Sequence, residues 1–207
     1  MGINRINNVF TNPDIGNINF SGDTISSTSG DLIFQIDTDD IQLNNGTTTT
    51  MNVSTNGVQT LPLQSCFLVY RSTNSNNVTG NGTEVTVNFD TEVTDLNSDF
   101  ASGTTFTAPI AGKYLFITNV TYTETAVAMT TGTVKISTSN WVFQNINNAQ
   151  AMSSVNDNGS LFLSVVTYMD AADTAQVLFT ITGGAGASAD IVGSSTLQTY
   201  FCGALIA

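Results

Sequence analysis

The chain has 207 residues, a formal net charge of −12 at pH 7, only 4 Lys plus Arg, and no histidine. That charge excludes nucleic acid as a direct partner, because phosphate binding needs clustered cations. Without imidazole, Ser-His-Asp and Cys-His catalysis and ordinary zinc sites are excluded as well.

The acidic residues are scattered, with no pair marked out by its spacing, so the chain is expected not to be an enzyme and to need no cofactor. Thr, Asn, Ser and Gly crowd the sequence, which suits short strands and predicts an all-β fold. The opening MGINRINNVF lacks an apolar core of signal-peptide length, and no run reaches the roughly 18 residues of a membrane span. Folding in a cytoplasm and no membrane partner are therefore expected.

Residues 1–13 carry no periodic signal and read as an N-terminal arm. Over 14–61 short apolar pieces such as Ile18-Asn19-Phe20, Leu32-Ile33-Phe34 and Ile41-Gln42-Leu43 alternate with Gly-Asp, Asn-Gly and Ser-Gly breaks. This thin β-rich segment cannot enclose a core alone, but three copies wound about one axis would bury those side chains against one another. Its phrases GDTISSTSGDLIF and IQLNNG resemble the slender shafts of phage fibres and spikes. Asp37-Thr38-Asp39-Asp40 invites a calcium reading, but the fifth and sixth positions are Ile41 and Gln42, so an EF-hand loop fails and no metal is assigned.

Leu61-Pro62-Leu63 opens a head domain over 62–207. Cys66 to Tyr70 is a strand apolar on both faces, and Ser72 to Gly82 is a polar loop. Val85, Val87 and Phe89 then alternate with polar residues, as in a half-buried strand. Asp95 to Gly103 is a turn-rich loop with Phe100 pinned inward, and Pro109 to Gly112 is a corner in which Gly112 is free to take a positive φ. Tyr114 to Ile117 is again apolar on both faces. Val134 and Ile136 mark a half-exposed strand, Trp141 to Phe143 a short one, and Asn145 to Gly159 a second polar loop. Trp141 is either packed at the rim or exposed as a platform for a sugar ligand. Leu161 to Met169, the alternating Val177, Phe179 and Ile181, a loop from Gly183, and a closing strand from Tyr200 complete the chain.

Phe89, five residues, Asp95, four residues, Phe100, then Phe106, five residues, Gly112, Tyr114 and Phe116 form a spaced signature. It resembles that of the complement component 1q globular head, a jelly-roll domain of the tumour-necrosis-factor-like superfamily. Ala172-Asp173 and the ending Tyr200 to Ala207 fall where that family has a Gly-Asp turn and its last strand. Two departures stand out: the gap from Phe100 to Phe106 is one residue short, and Thr118 occupies the place of a third aromatic. The resemblance implies a ten-stranded jelly-roll sandwich whose first, third, sixth and last strands share the inner sheet of a trimer.

The strand pattern points the same way. Strands starting near Cys66, Tyr114, Leu161 and Phe201 are apolar on both faces, whereas those near Glu84, Thr133 and Gln176 alternate. A sandwich buries only one face of each sheet, so the first group leaves an apolar wall too large for a lone soluble chain. A homotrimer is expected. Its inner-sheet and interface candidates are Phe67, Leu68, Val69 and Tyr70; Tyr114, Leu115, Phe116 and Ile117; Phe162, Val165, Val166 and Tyr168; and Phe201, Leu205 and Ile206. Cys66 and Cys202, on the paired first and last strands, are expected as buried free thiols.

Together these features predict a structural protein of a virus particle, most simply a phage. In it, a trimeric fibre, spike or capsid-decoration protein would hold other virion proteins through its arm and present polar loops to a host-surface glycan or protein. A bacterial-surface or spore-coat adhesin is the alternative.

Overall fold

The computed structural model describes residues 41–45, 47–125, 128–149 and 158–207. The expected arm at 1–13, the first half of the expected shaft with its Asp37 turn, and most of the second half of the Asn145–Gly159 loop lie outside them. Among the described residues the chain is almost entirely β, and no helix is long and apolar enough to cross a membrane.

Three short strands come first: β1 (Ile41–Asn45), β2 (Thr48–Val53) and β3 (Gln59–Thr60). The head begins with β4 (Cys66–Tyr70), β5 (Ser75–Thr79), β6 (Val85–Thr86), β7 (Thr91–Asp95), β8 (Phe100–Ala101) and β9 (Thr105–Thr107). The longer strands follow: β10 (Gly112–Thr123), β11 (Thr131–Thr138), β12 (Val142–Asn148), β13 (Asn158–Met169), β14 (Thr174–Thr182), β15 (Ala189–Ile191) and β16 (Tyr200–Leu205).

β1, β2 and β3 form a sheet of their own. The head is two sheets. β10 is the spine of the seven-stranded one: β13 pairs along one edge from Gly112↔Met169 to Thr123↔Asn158, while β16 and then β15 share the other edge. β4 and β7 continue outward from β16, and β5 from β15. The six-stranded sheet runs β12-β11-β14-β9-β8, with β6 beside β14. From β9 onward the chain crosses between sheets at every connection except β11–β12 and β15–β16, and every ladder is antiparallel, so the head is a jelly-roll sandwich. The strands outnumber the expected ten because segments of the expected loops pair: β5 lies inside the Ser72–Gly82 loop and β8 inside the Asp95–Gly103 loop, while β12 lengthens an expected strand through Asn148 into the second polar loop. Both faces of β5 and β12 are largely open to water, so these strands carry no apolar alternation to read. Conversely, the alternating Val85–Phe89 segment is a strand only at Val85–Thr86, yet Val87 and Phe89 are buried as the alternation requires.

The core explains the spaced signature. The Phe67 ring stacks on Phe100 at 5.2 Å and on Phe106 at 5.0 Å, and meets Phe201 edge-on at 5.0 Å. Phe89, Tyr114 and Phe116 close the same cluster. Asp95 is fixed by a different need: its carboxylate accepts from Asp99 N and Phe100 N, closing the turn that delivers Phe100 inward. Thr118, in place of an aromatic, is fully buried and donates its hydroxyl to the Tyr200 carbonyl at 2.8 Å, so its polar atom is satisfied. Gly112 corrects one expectation. It is absent from the positive-φ glycines, and a Cβ there would meet Leu205 Cδ1 at 2.6 Å and the Ala207 carbonyl at 2.8 Å, so close approach demands the glycine.

Two stability predictions follow from this geometry. Ala172 sits at φ 72, where the family resemblance would put Gly, and an L-residue there costs about 1–2 kcal/mol. Ala172→Gly is expected to raise the stability by about 0.5–1 kcal/mol, read as a higher urea midpoint at unchanged slope. A Cβ at Gly203 would lie 2.7 Å from both Phe116 Cδ1 and Phe67 Cε1. Gly203→Ala is expected to lose about 1–3 kcal/mol in the same assay, because those rings have no space to retreat into.

Candidate functional site: the outward face of the seven-stranded sheet

Direct opposition in an antiparallel ladder puts paired residues on one face, so register sorts the side chains. Phe67, Val69, Tyr114, Phe116 and Phe201 turn inward and are buried, and Val165 and Leu205 pack against the same core. These seven candidates are inside the sandwich rather than on its outer wall. Leu115 opposes Val166 and Ala204, Ile117 opposes Cys202, and Tyr168 opposes Lys113, all pointing outward. Leu68, Tyr70 and Phe162 share that face, and Ile206 lies exposed just beyond β16. Phe162, Val166 and Tyr168 are each more than half exposed, a large apolar surface to leave in water. Sequence reasoning missed Lys113, Asn119, Ser164, Tyr200 and Ala204 on this face, and it expected Cys66 and Cys202 buried where the structure leaves both only half covered. They lie at odd offsets from the buried residues of their strands, so starting one residue beside such a position and counting by twos finds them.

The face is chemically distinctive. Among the described residues of β4, β10, β13 and β16, Lys113 is the only charged one. At its centre Leu115, Ile117, Cys202, Gly203 and Ala204 line a shallow hollow of about 120 Å³. The other sheet turns Thr133, Lys135, Ser137 and Gln176 to water, with Lys135 paired to Glu84. Cys66 and Cys202 are free and half-buried on the apolar face, diagonal to one another across β4 and β16. Burial pushes the Cys202 thiol up from its ordinary pKa. Near the β15 end the face becomes polar: Asn119 donates to the Gln198 carbonyl and accepts from Ser160.

The two ends of the sandwich differ. At one end the chain enters at Ser65–Cys66 and Lys113 N bonds the Ala207 carbonyl. The turn holding Trp141 lies at that end, because Asn140 donates to Asp173 and Ser139 N to the Thr174 carbonyl. Trp141 is 64% exposed. The opposite end gathers two of the expected loops. Gly184 N bonds the Gly80 carbonyl, Ser188 N the Thr79 carbonyl, and Asp190 accepts from Asn77 N, with Met129 buried beneath. Trp141 and these loops therefore stand at opposite poles.

A cleft of about 520 Å³ lies between Asn88–Glu92 and Ser102–Gly103, and holds two carboxylates. Partial burial alone would raise the Asp90 pKa, but donors from Ser72 N at 2.7 Å, Thr73 at 2.9 Å and Thr91 at 3.0 Å overrule it and bring the value to about 2. A carboxyl so acidic stays ionised and cannot serve as a proton donor near neutrality. Asp90 is instead an anchor for the Ser72 loop, helped by the Arg71 guanidinium, which donates to the Asn88 carbonyl. Among the described residues no group of three His, Cys, Asp or Glu is placed to hold a metal.

No family model matches the chain, and no curated protein does either. Solved structures do. The globular domain of zebrafish complement 1qA protein is similar at 17% identity over 70% of this chain and 98% of that one, with a TM-score of 0.47. Murine APRIL at pH 8.5 is similar at 14% identity over 69% and 99%, with a TM-score of 0.48, and at pH 8.0 the score is 0.49.

The Asp90 anchor makes a pH prediction with a definite sign. Its folded pKa lies below the unfolded value, so its contribution is complete above about pH 4–5 and lost as pH falls toward 2. Asp90→Asn is expected to melt below the parent chain at pH 6, and the gap should close as pH is lowered from 4 to 2. A gap constant over that range would mean the carboxylate contributes nothing.

Proposed function

We propose that three copies of this chain seal the outward faces of their seven-stranded sheets around a threefold axis, forming a structural and attachment component of a virus particle. The observation that carries the reading is the face itself: apolar, almost uncharged, and built from the four successive strands β13, β10, β16 and β4. A chain of net charge −12 repels its own copies, and the neutral wall is where identical copies approach at least electrostatic cost. A ring of three needs a second, different surface to receive that wall. The rim where β12 runs beside β13 supplies one, with Val142 and Ile146 exposed and Asn145 donating to the Phe162 carbonyl across the gap.

The placement on a virion is supported by the shaft-like phrases of residues 14–61 and by the uncharged, Thr- and Asn-rich composition of that stretch's described part. The loop end, farthest from the point where the chain enters the head, is the surface offered to a host glycan or protein. The arm at 1–13 is the attachment to other virion proteins.

The oligomer is tested by sedimentation at low micromolar concentration, where a species near three times 21.8 kDa is expected. Val166→Asp should convert it to single chains, since a carboxylate would be buried at each interface. Labelling with a thiol reagent gives an independent footprint: Cys66 and Cys202 should react slowly in the parent and many times faster in the Val166→Asp chain. For the role, mass spectrometry of purified virions should find the chain at a stoichiometry divisible by three, whereas recovery only from bacterial envelopes would replace the virion with the adhesin reading.

A further inference from the structure

The small N-terminal sheet has two unlike faces. Ile41 opposes Val53 and Leu43 opposes Met51, so these four side chains share one face, with Gln59 laid across Met51. Gln42, Asn52 and Thr60 make up the other. No described side chain from 41 to 64 is buried, and Leu43 is 54% exposed. A three-stranded sheet of this size has no core of its own, and no described residue buries its apolar face.

We infer that this face is a second self-association surface, closed by the same face of the two other copies on the axis that joins the heads. The inference rests on the homotrimer reading. Three observations select a second copy as the occupant. From Ile41 to Tyr70 the sequence contains no charged residue, in a chain of net charge −12, so the neutral stretch runs unbroken from this sheet into β4 of the apolar wall. The connector is short: from Thr60 to Cys66 it spans at most roughly 20 Å. It is also pinned to the head, because Gln64 donates to the Leu205 carbonyl and the Leu63 carbonyl accepts from Asn97. Heads joined through β4 and β16 would therefore hold three such sheets within reach of one another, at the high effective concentration that makes a weak apolar contact form.

The test compares the two faces of one sheet in the full-length chain. In a Cys66→Ser, Cys202→Ser background, Leu43→Cys and Gln42→Cys are each oxidised mildly and resolved on a non-reducing gel. Leu43→Cys is expected to yield a covalent two-chain species several-fold more than Gln42→Cys, with the third copy left single. Equal yields, or none from Leu43→Cys, in a chain that still sediments as three copies would overturn the inference and leave the homotrimer standing. Sedimentation of the parent chain as single copies would overturn both. Leu43→Asp supplies a second readout: it should lower the temperature at which the three copies separate, whereas Gln42→Asp should leave it unchanged, and equal effects count against the inference.

Discussion

The ring of Phe67 lies between Phe100 and Phe106, and the whole head is arranged so that it can. Phe67 comes from the seven-stranded sheet, Phe100 and Phe106 from the six-stranded one, so this stack clasps the two layers together. Each such ring pair is worth about 0.5–1.5 kcal/mol beyond the area it buries. Its geometry makes further demands. Asp95 must close the turn before Phe100, and Gly203 must carry no side chain, because Phe116 and Phe67 already fill that space. The inward residues of β4, β10 and β16 are thereby fixed, and with them the outward ones, since a strand cannot turn one set in without turning the other out.

That coupling is why much of the fold was legible from residues alone. Alternation around Val134, Ile136, Val177 and Phe179 gave strands, and double-sided apolar runs gave the sheet with the greasy wall. The aromatic spacing gave the jelly roll. What escaped was whatever pairs without an apolar stripe. β5 is Ser-Asn-Asn-Val-Thr and the second half of β12 is Asn-Ile-Asn-Asn, polar because both faces of each are largely open to water. Listing whole apolar runs as interface residues mixed the two faces of each strand. Phe67 and Leu68 are neighbours in the chain and serve opposite purposes in the fold.

The poles of the sandwich divide labour in a way the sequence did not reveal. Trp141, read from the sequence as either packed at the rim or exposed as a platform, is exposed and stands where the chain enters the head rather than among the polar loops. Its location is set by register: β11 runs away from the loop pole, so the turn after it must lie at the other one. The acidic cleft is explained just as locally. Asp90 answers to the Ser72 loop, and its strong hydrogen bonds make it a fastener rather than a reagent.

Backbone bonds tie the loops of the far pole to one another: Gly184 to Gly80, Ser188 to Thr79, Ser194 to Arg71. Peptide groups carry no record of which side chain sits beside them. Apart from the glycines that need room there, the buried Thr79 and Met129, and the polar anchors Arg71, Asn74, Asp90 and Asp190, the exposed residues of this pole are released from duty to the scaffold. Mutation can rewrite them freely while the architecture stays put, and a recognition surface built on such ground drifts quickly without putting folding at risk.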